Sequence, residues 1–348
     1  MHSPTRGFWD ELPRPIIGLA PMDGVTDSAF RFIMAKYGGP HPIYTEFTSV
    51  EGIRAGALRL LDDFEYDESE RPVLAQLFGA DPSAFFGAAA AAAALGFDGI
   101  DINMGCPTKN VTQHGAGAAL ILDPPRAVEI VRQARAGVSA WTEGRSLESM
   151  DLPEPITAAI RQRRQERGEP LRRVLPISLK TRLGYDRIVI TQWVSQLLEA
   201  EPAAIALHGR TLKQGYTGAA DWDSIAEGAA IIRAYGAVAL GNGDITDLDD
   251  ARLKIARYGV DGVLIGRAAF GNPWLFKATV ADTETRRQIA LEHARFLAHT
   301  VDGKGFVRIR KHLADYFRGT EGIKELRGNL MKVQTLADVE TLLQRAQF

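Results

Sequence analysis

Residues 73–103 read VLAQLFGADPSAFFGAAAAAAALGFDGIDIN, and this stretch decides the fold class. Two short runs typical of β-strands, 73–77 and 99–103, enclose one helix-length segment, 82–95. Strands that are joined through a helix pair in parallel, with a right-handed crossover. The alanines at 88–94 are too few and too weakly apolar to span a membrane, so they predict an ordinary helix.

The same strand–helix unit recurs along most of the chain. Eight such units favour a closed (β/α)8 TIM barrel over an open sheet. Most of the strand runs are apolar throughout, as expected where both faces of a sheet are covered. The predicted strands are 16–20, 42–46, 73–77, 99–103, 174–180, 203–208, 237–241 and 261–266. The predicted helices between them are 27–37, 82–95, 124–137, 191–200, 221–235 and 247–258.

Two stretches depart from this alternation. Residues 139–173 are an arginine-rich insertion, which we interpret as a solvated excursion on the barrel face opposite the active site. A patch that contacts RNA or protein is the alternative. Residues 282–348 carry no strand pattern and predict a small all-helical domain after a barrel at 1–281. The helices predicted in these two stretches are 155–167, 283–302, 305–317, 321–331 and 336–346.

Composition limits the class of protein. The 348 residues are 45% hydrophobic and 24% charged, which is ordinary for a soluble folded chain. The net charge is only −2, but residues 283–348 hold 12 Lys and Arg against 8 Asp and Glu. One cysteine excludes a disulfide framework and a zinc site with several cysteine ligands, and we expect no metal. With no signal peptide or membrane span, we expect a cytoplasmic protein.

Polar side chains recur where the predicted strands end. In a barrel these ends form a single ring that carries the active site. Each residue alone could be a capped or solvated loop residue, but their coincidence in one ring predicts a site. They are Glu46, Gln76, Asn103, Lys180, His208 and Asn242, with Pro21 and Met22 after the first strand and Gly266 and Arg267 after the last.

The last two strands are followed by the glycine-rich loops GNGD (241–244) and GRAA (266–269). Barrels often bind phosphate at this place, because glycine lets backbone N–H groups approach the anion. A pair of tight turns is the alternative. Arg267 can add a bidentate contact to a phosphate. Flavin mononucleotide (FMN) would fit, with Gln76 and Lys180 beside its ring system.

The single cysteine, Cys106, lies in the sequence NMGCP at 103–107. A lone cysteine is usually a small buried hydrophobic residue. In a Gly/Pro loop at the rim of the site, however, its thiol can be a general acid, a nucleophile or a redox target. The residues alone do not choose among these roles.

These segments resemble the tRNA-dihydrouridine synthase family over nearly the whole chain. The combination of Gly-Cys-Pro, His-Gly-Arg and Asn-Gly-Asp segments in this order is specific. The similar segments are LAPMDGVTDSAFR (19–31), QLFG (76–79), DINMGCPTKNVTQHGAGAAL (101–120), SLKTRLG (178–184), ALHGRTLKQGYTGAADW (206–222), GNGDI (241–245), GVLIGRAAFGNPW (262–274) and IRKHLADYFRG (309–319).

The resemblance implies an enzyme with tightly bound FMN that reduces the C5–C6 double bond of uridine in tRNA, using NADPH or NADH. Hydride passes to C6, and Cys106 donates the proton to C5. Asn103 places the uracil, and Arg182 and Arg210 lie in motifs near phosphate or substrate. The implied FMN contacts are Pro21, Met22, Gln76, Lys180, His208, Asn242, Gly243, Asp244, Gly266 and Arg267.

The helical domain then has a role. Residues 303–332 hold eight Lys and Arg against three Asp and Glu, which suits the positioning of RNA phosphates. A solvated helix face is the alternative. We expect Arg310 and Lys311 to contact the tRNA, and Phe306, Tyr316 and Phe317 to be core residues. No obligate protein partner is expected.

Two other functions remain open at this point. One is an FMN barrel oxidoreductase acting on a small pyrimidine, similar to dihydroorotate dehydrogenase, which leaves the basic helical domain unexplained. The other is an RNA-binding relative without activity, against which Cys106, Lys180 and His208 argue.

Overall fold

The computed structural model describes residues 5–300, 303–319 and 323–346. Eight parallel strands form one sheet in the order β1-β8-β7-β6-β5-β4-β3-β2. The sheet closes between its first two strands, because the Leu19 N–H donates to the Pro42 carbonyl at 3.1 Å. The TIM-barrel prediction is confirmed. The strands are β1 (Ile16–Leu19), β2 (Ile43–Ser49), β3 (Val73–Phe78), β4 (Gly99–Met104), β5 (Ile177–Gly184), β6 (Ala204–Thr211), β7 (Val238–Asn242) and β8 (Gly262–Ile265).

Helices cover the barrel and continue beyond it. Within the described ranges, no helix is long and apolar enough to cross a membrane. The α-helices are α1 (Ser28–Tyr37), α2 (Val50–Arg54), α3 (Pro82–Ala94), α4 (Lys109–Thr112), α5 (Pro124–Thr142), α6 (Glu154–Arg167), α7 (Ile190–Leu198), α8 (Trp222–Tyr235), α9 (Leu248–Tyr258), α10 (Thr283–Thr300), α11 (Ile309–Tyr316), α12 (Lys324–Leu330) and α13 (Leu336–Arg345).

Three strands run further than the sequence predicts. β2 ends at Ser49, β5 at Gly184 and β6 at Thr211, each three or four residues beyond the predicted end. Strand pairing continues past the polar residues, since Arg182 still pairs with His208 before a shift in register. The physical reason is that these polar side chains line the mouth of the barrel, so polarity there does not mark the end of a strand.

Helix α5 also continues past its predicted end at Gly137. A Cβ atom at Gly137 would lie 2.0 Å from the carbonyl oxygen of Phe86 in α3. The glycine therefore allows a close approach of two helices and does not end one. The buried alanines of α3 serve the same contact, because small side chains let the two helix backbones come together.

The amino-terminal end of the barrel is closed by the segment before β1. Trp9 is fully buried in a 3-10 helix, Gly7–Asp10. It packs against inward-facing residues near the strand starts, including Ile16, Leu74 and Val238. The opposite, carboxyl end of the barrel is left open for a site.

The arginine-rich insertion starts after α5 and contains α6. All seven of its arginines have partners within the protein, so its charge is largely neutralised in place. Arg145 donates to the Ser149 carbonyl at 3.1 Å. The alternative interpretation, a patch that contacts RNA or protein, is therefore not supported. The partners are Glu148 and Glu154 for Arg161, Asp62 and Glu65 for Arg163, Glu169 for Arg164, Glu65 for Arg167, the Trp141 carbonyl for Arg172, and Asp98 for Arg173.

The helical region from 283 onward shares a hydrophobic core with the barrel. Its buried residues pack on Ala29 and Ile33 of α1 and on Trp274. The predicted core aromatics are confirmed by their exposed fractions, at most 3%: they are Phe306, Tyr316 and Phe317. The end of the predicted helix 283–302 and the start of 321–331 lie outside the described residues. A boundary at about 282 stays a prediction.

Candidate active site

A cavity of about 810 Å³ opens at the carboxyl ends of the strands. It brings together most of the residues that the sequence predicts for the site, although they are spread along the whole barrel. These residues are Pro21, Met22, Asn103, Cys106, Lys180, Arg182, His208, Asn242, Gly243, Asp244, Gly266 and Arg267.

Five predicted site residues do not line this cavity. One of them is Glu46, which lies within β2. Gln76 is fully buried beneath the cavity and does not line it. Arg210 is 2% exposed, and its guanidinium is held by Asp244 and the Gly218 carbonyl. Arg310 and Lys311 belong to the helical region. Both Gln76 and Arg210 are hydrogen-bonded to other residues of the protein, and their contacts with a ligand stay a prediction.

Asn103 and Arg182 hold the loop that carries the cysteine. The Oδ1 atom of Asn103 accepts the N–H groups of Gly105 at 3.0 Å and Cys106 at 2.9 Å. Arg182 donates from Nε to the Gly105 carbonyl at 2.7 Å. The Cys106 Sγ lies 3.1 Å from the Thr108 hydroxyl and lines the cavity. The sequence analysis missed Thr108, which follows the cysteine by two residues.

A chain of buried polar side chains continues below Asn103. The Asn103 Nδ2 donates to Gln76 Oε1 at 3.2 Å, and Gln76 Nε2 donates to Asp101 Oδ2 at 2.7 Å. The Ser178 hydroxyl donates to the other Asp101 oxygen at 2.8 Å. Burial is the main reason that the pKa of Asp101 is raised to about 6. Its position two residues before Asn103 on one strand was a signal for it, because such residues share a face.

Lys180 extends into the cavity from β5. Burial, and after it the charge of Arg182, lowers the pKa of Lys180 to about 8, against the opposing effects of Asp101 and Cys106. Among the described residues its Nζ has no hydrogen-bond partner, although it lines the cavity. Lys180 is only partly buried at the cavity wall, and an ammonium without a protein partner at such a place can bind a ligand.

His208 is neutral and lies in a field of positive charge. Burial lowers its pKa to about 2, and the charges of Lys180, Arg182, Arg210 and Arg267 act in the same direction. Arg210 donates toward its Nε2 at 3.4 Å. This concentration of cations around a neutral ring favours an anionic ligand.

Asp244 organises the loop after β7. Its carboxylate accepts from Arg210 at 2.6 Å, from Arg267 at 2.8 Å and from the Ala220 N–H at 2.8 Å. Burial alone would raise its pKa, but the Arg210 and Ala220 hydrogen bonds outweigh that effect and lower it. Arg267 is thereby fixed at the cavity wall.

Tyr216, which the sequence analysis did not single out, lies at the mouth of the cavity. Its side chain is 65% exposed. The guanidinium carbons of Arg182 and Arg267 lie 5.7 and 5.9 Å from its ring centre. An exposed aromatic ring beside two arginines suits contact with a flat group entering the cavity. In the described part of the chain, no cluster of three His, Cys, Asp or Glu could hold a metal ion.

A second cavity, of about 590 Å³, lies in the helical region and is basic on its rim. Lys311 also lies near the first cavity. Its Nζ is 3.6 Å from the place that a Cβ at Gly24 would occupy, and Gly24 follows Asp23, which lines the first cavity. Arg310 instead donates from Nε to the Val333 carbonyl at 2.7 Å. The second cavity is lined by Lys311, Ala314, Asp315, Ile323, Lys324, Arg327, Gly328 and Met331.

Comparison with known proteins agrees with this geometry. The family model described as Dihydrouridine synthase (Dus) matches residues 18–142 and 149–348. The chain belongs to the dihydrouridine synthase family. Between the two matched ranges only 143–148 is left out, a small part of the predicted insertion.

Curated relatives are similar over nearly their full length. A "Probable tRNA-dihydrouridine synthase" of Staphylococcus aureus (strain COL) is 32% identical over 97% of this chain and 94% of the relative. "Probable tRNA-dihydrouridine synthase 2" of Bacillus subtilis (strain 168) is 32% identical over 97% of this chain and 96% of the relative. Among solved structures, that of TcOYE with pHBA aligns with a TM-score of 0.44 and 12% identity, over 78% of this chain and 92% of that chain.

Proposed function

We propose that this protein is a tRNA-dihydrouridine synthase, which uses FMN and NADPH or NADH to reduce the C5–C6 double bond of uridine in tRNA to 5,6-dihydrouridine. The observation that carries the proposal is one cavity that has a thiol, Cys106, and an ammonium, Lys180, in its wall. The family membership and the names of the curated relatives support the same reaction. A tRNA substrate is consistent with a cytoplasmic protein.

The residues of the cavity fit FMN. Its volume of about 810 Å³ is within the usual size of a cofactor site. At Gly243, with φ of 130°, a Cβ would lie 2.8 Å from the Ala220 Cβ and 3.3 Å from the His208 ring, so only glycine leaves this wall open. We assign the phosphate to the end of the cavity that these loops form. The residues there are His208, Asn242, Gly243, Asp244, Gly266 and Arg267.

We assign the flavin ring to the other part of the cavity, beside Pro21, Met22 and Lys180. When bound, reduced FMN supplies a hydride for C6 of the uracil. Lys180 donates a hydrogen bond to the ring through its Nζ, which has no partner within the described part of the chain. Gln76 acts indirectly, by orienting Asn103 through the hydrogen bond at 3.2 Å.

Cys106 is the proposed acid. Its thiol delivers a proton to C5 of the uracil, and the neighbouring Thr108 hydroxyl orients the thiol. Asn103 uses Oδ1 for the cysteine loop, so its Nδ2 is the atom that can donate to a uracil carbonyl at the cavity wall. Arg182 holds the same loop in place from β5.

We assign RNA binding to the helical region, 282–348, and catalysis to the barrel, 1–281. A uridine must leave its stack to enter the cavity, which costs a few kcal/mol and is cheapest in a tRNA loop. Lys311, Lys324 and Arg327 surround the basic cavity, and Lys311 lies on the way to the barrel mouth. These residues hold phosphates, while Arg310 supports the helices that carry them.

The test is a product assay with the full chain. Purified protein is supplied with FMN, NADPH and an unmodified tRNA transcript, and dihydrouridine is measured by mass spectrometry of the digested RNA. The proposal expects a protein that is yellow from its bound flavin and a product that depends on NADPH and on the RNA. Dihydrouridine absent from the RNA, with a free pyrimidine oxidised or reduced instead, would favour the small-pyrimidine oxidoreductase.

A further inference from the structure

We propose that Asp101 is a positioning residue for this reaction: it fixes the amide orientation of Gln76 and Asn103 and thereby holds the Cys106 loop. The inference rests on the proposed function for its consequence in catalysis. Its structural part, the control of the loop by a carboxylate below it, stands on the hydrogen bonds alone.

In this series each group donates a hydrogen bond to the next one, and Asp101 is the last acceptor. Backbone N–H groups only donate, so the atom of Asn103 that receives Gly105 and Cys106 is its oxygen. The Nδ2 of Asn103 therefore faces Gln76, which must present its oxygen. The Nε2 of Gln76 is then left for Asp101, and an ionised carboxylate only accepts.

Water cannot reach these groups to satisfy them in another orientation. Gln76 is fully buried, and Asp101 and Ser178 are each 1% exposed. If either amide turned over, two donors or two acceptors would face each other in a dry environment, which leaves buried polar groups unpaired. Asp101 is the terminal acceptor, and Ser178 donates to its second oxygen at 2.8 Å. Together with the backbone N–H groups of Gly105 and Cys106 at the other end, Asp101 therefore sets which amide orientation has the lower free energy.

Asn103 couples this orientation to the reaction. The oxygen that holds the Cys106 N–H and the Nδ2 that donates to Gln76 belong to one amide, and Asn103 lines the cavity. A change at Asp101 thus alters the thiol position and the donor for uracil together. Asp101 does not line the cavity, so it acts through Gln76 and Asn103 only.

Two substitutions separate positioning from charge. Asp101→Leu removes the terminal acceptor. Asp101→Asn keeps an acceptor, because its amide oxygen can accept from Gln76. Its amide nitrogen can donate to the Ser178 oxygen, and the Ser178 hydroxyl can then donate to the Ile100 carbonyl at 3.3 Å. We expect the leucine variant to release the loop and the asparagine variant to preserve it. Gln76→Met removes the next side chain in this series of hydrogen bonds. It is used instead of Asp101→Leu if the leucine variant does not fold.

The readout is alkylation of the thiol. Cys106 is the one cysteine among the 348 residues, so the uptake of iodoacetamide by the full chain reports on this loop alone. We expect a rate about tenfold above that of the wild type in Asp101→Leu or Gln76→Met, and within about twofold in Asp101→Asn. Asp98→Leu is the matched control, since Asp98 is also a buried carboxylate of this segment but bonds to Val73 and Arg71 instead.

Steady-state kinetics provide the second readout. The leucine variant should lower kcat about thirtyfold and leave the KM for tRNA within about twofold, because phosphate contacts made elsewhere dominate RNA affinity. An unchanged alkylation rate in folded Asp101→Leu or Gln76→Met, or a rate in Asp98→Leu equally raised, would overturn the positioning role. If tRNA is not the substrate, the alkylation result still holds while dihydrouridine is absent, so the two failures are distinguishable.

Discussion

The Asn103 side chain and the Cys106 backbone are joined by a hydrogen bond of 2.9 Å, from the Cys106 N–H to Asn103 Oδ1. The end of β4 and the single thiol of the chain are therefore held as one unit at the mouth of the barrel. Five expectations for this site and for the helical region can be measured.

Asn103→Ala removes the acceptor for two N–H groups and the donor at the cavity wall. We expect the free energy of unfolding to fall by about 1–3 kcal/mol and the rate of dihydrouridine formation to fall about a hundredfold. Urea unfolding and the tRNA product assay measure the two effects. Asn329→Ala, in the helical region, is the matched control. A fully active Asn103→Ala would show that the amide neither holds the loop nor contacts the base.

Lys180→Met removes the ammonium that has no hydrogen-bond partner among the described residues. We expect the Kd for FMN to rise about tenfold or more, because a hydrogen bond from a charged group contributes about 1.5–3 kcal/mol. The quenching of flavin fluorescence gives the Kd. Lys254→Met, on α9 beside Asp250, should bind FMN like the wild type. Equal flavin affinities in the two variants would contradict the assignment of Lys180.

Lys324→Ala removes one cation from the basic cavity of the helical region. We expect weaker tRNA binding at every salt concentration and a salt dependence shallower by about one unit in log Kd against log salt. Reduction of the flavin by NADPH should be unchanged, since that step needs no RNA. Arg252→Ala, an exposed position on α9, serves as the control. If the Kd of Lys324→Ala for tRNA depended on salt as in the wild type, the RNA would bind elsewhere.

Acid should destabilise the core shared by the helical region and α1. Burial lowers the pKa of His293 and of His312 from 6.5 to about 3, with smaller effects from neighbouring charges. Both Nε2 atoms lack a hydrogen-bond partner among the described residues, so protonation would bury an unpaired charge. Because both folded-state values lie below the unfolded one, the stability is fully present above about pH 6.5 and is lost as the pH falls toward 3.

The slope for each histidine is about 1.4 kcal/mol per pH unit in that window. His312→Phe, which keeps a ring beside Phe30, should therefore lose less stability than the wild type on acidification. Urea unfolding at neutral pH and at lower pH gives the difference, in which the effects of other groups common to both proteins cancel. Parallel curves for the two proteins would contradict the prediction.

The sequence predicts the barrel because strand and helix patterns are local, and it predicts most of the cavity because barrel geometry gathers strand ends into one ring. The prediction from sequence fails where the role of a residue depends on a neighbour that is distant along the chain. The local pattern predicts that α5 ends at Gly137, because no neighbouring residue in the sequence indicates that Phe86 packs against this glycine. Lys180 and His208 were placed at strand ends, although pairing continues beyond them.

The same limit applies to the site. Gln76 is predicted to contact the cofactor because it lies near the end of a strand and matches a family motif, but its hydrogen-bond partner Asp101 lies 25 residues away on the next strand. The sequence leaves a binding patch open as the alternative for the arginine-rich insertion, and only the fold shows the partners that its arginines have. Pairing across strands and between segments is set by register and packing, which composition does not record.

The most direct test compares the full-length protein with Cys106→Ala in the presence of FMN, NADPH and an unmodified tRNA transcript. Both proteins should bind FMN with similar affinity and accept electrons from NADPH. Only the wild type should convert uridine to dihydrouridine at its normal rate, with the variant slower by about a hundredfold or more. A Cys106→Ala protein that forms dihydrouridine as fast as the wild type would contradict the role assigned to the thiol and, with it, the arrangement of the cavity.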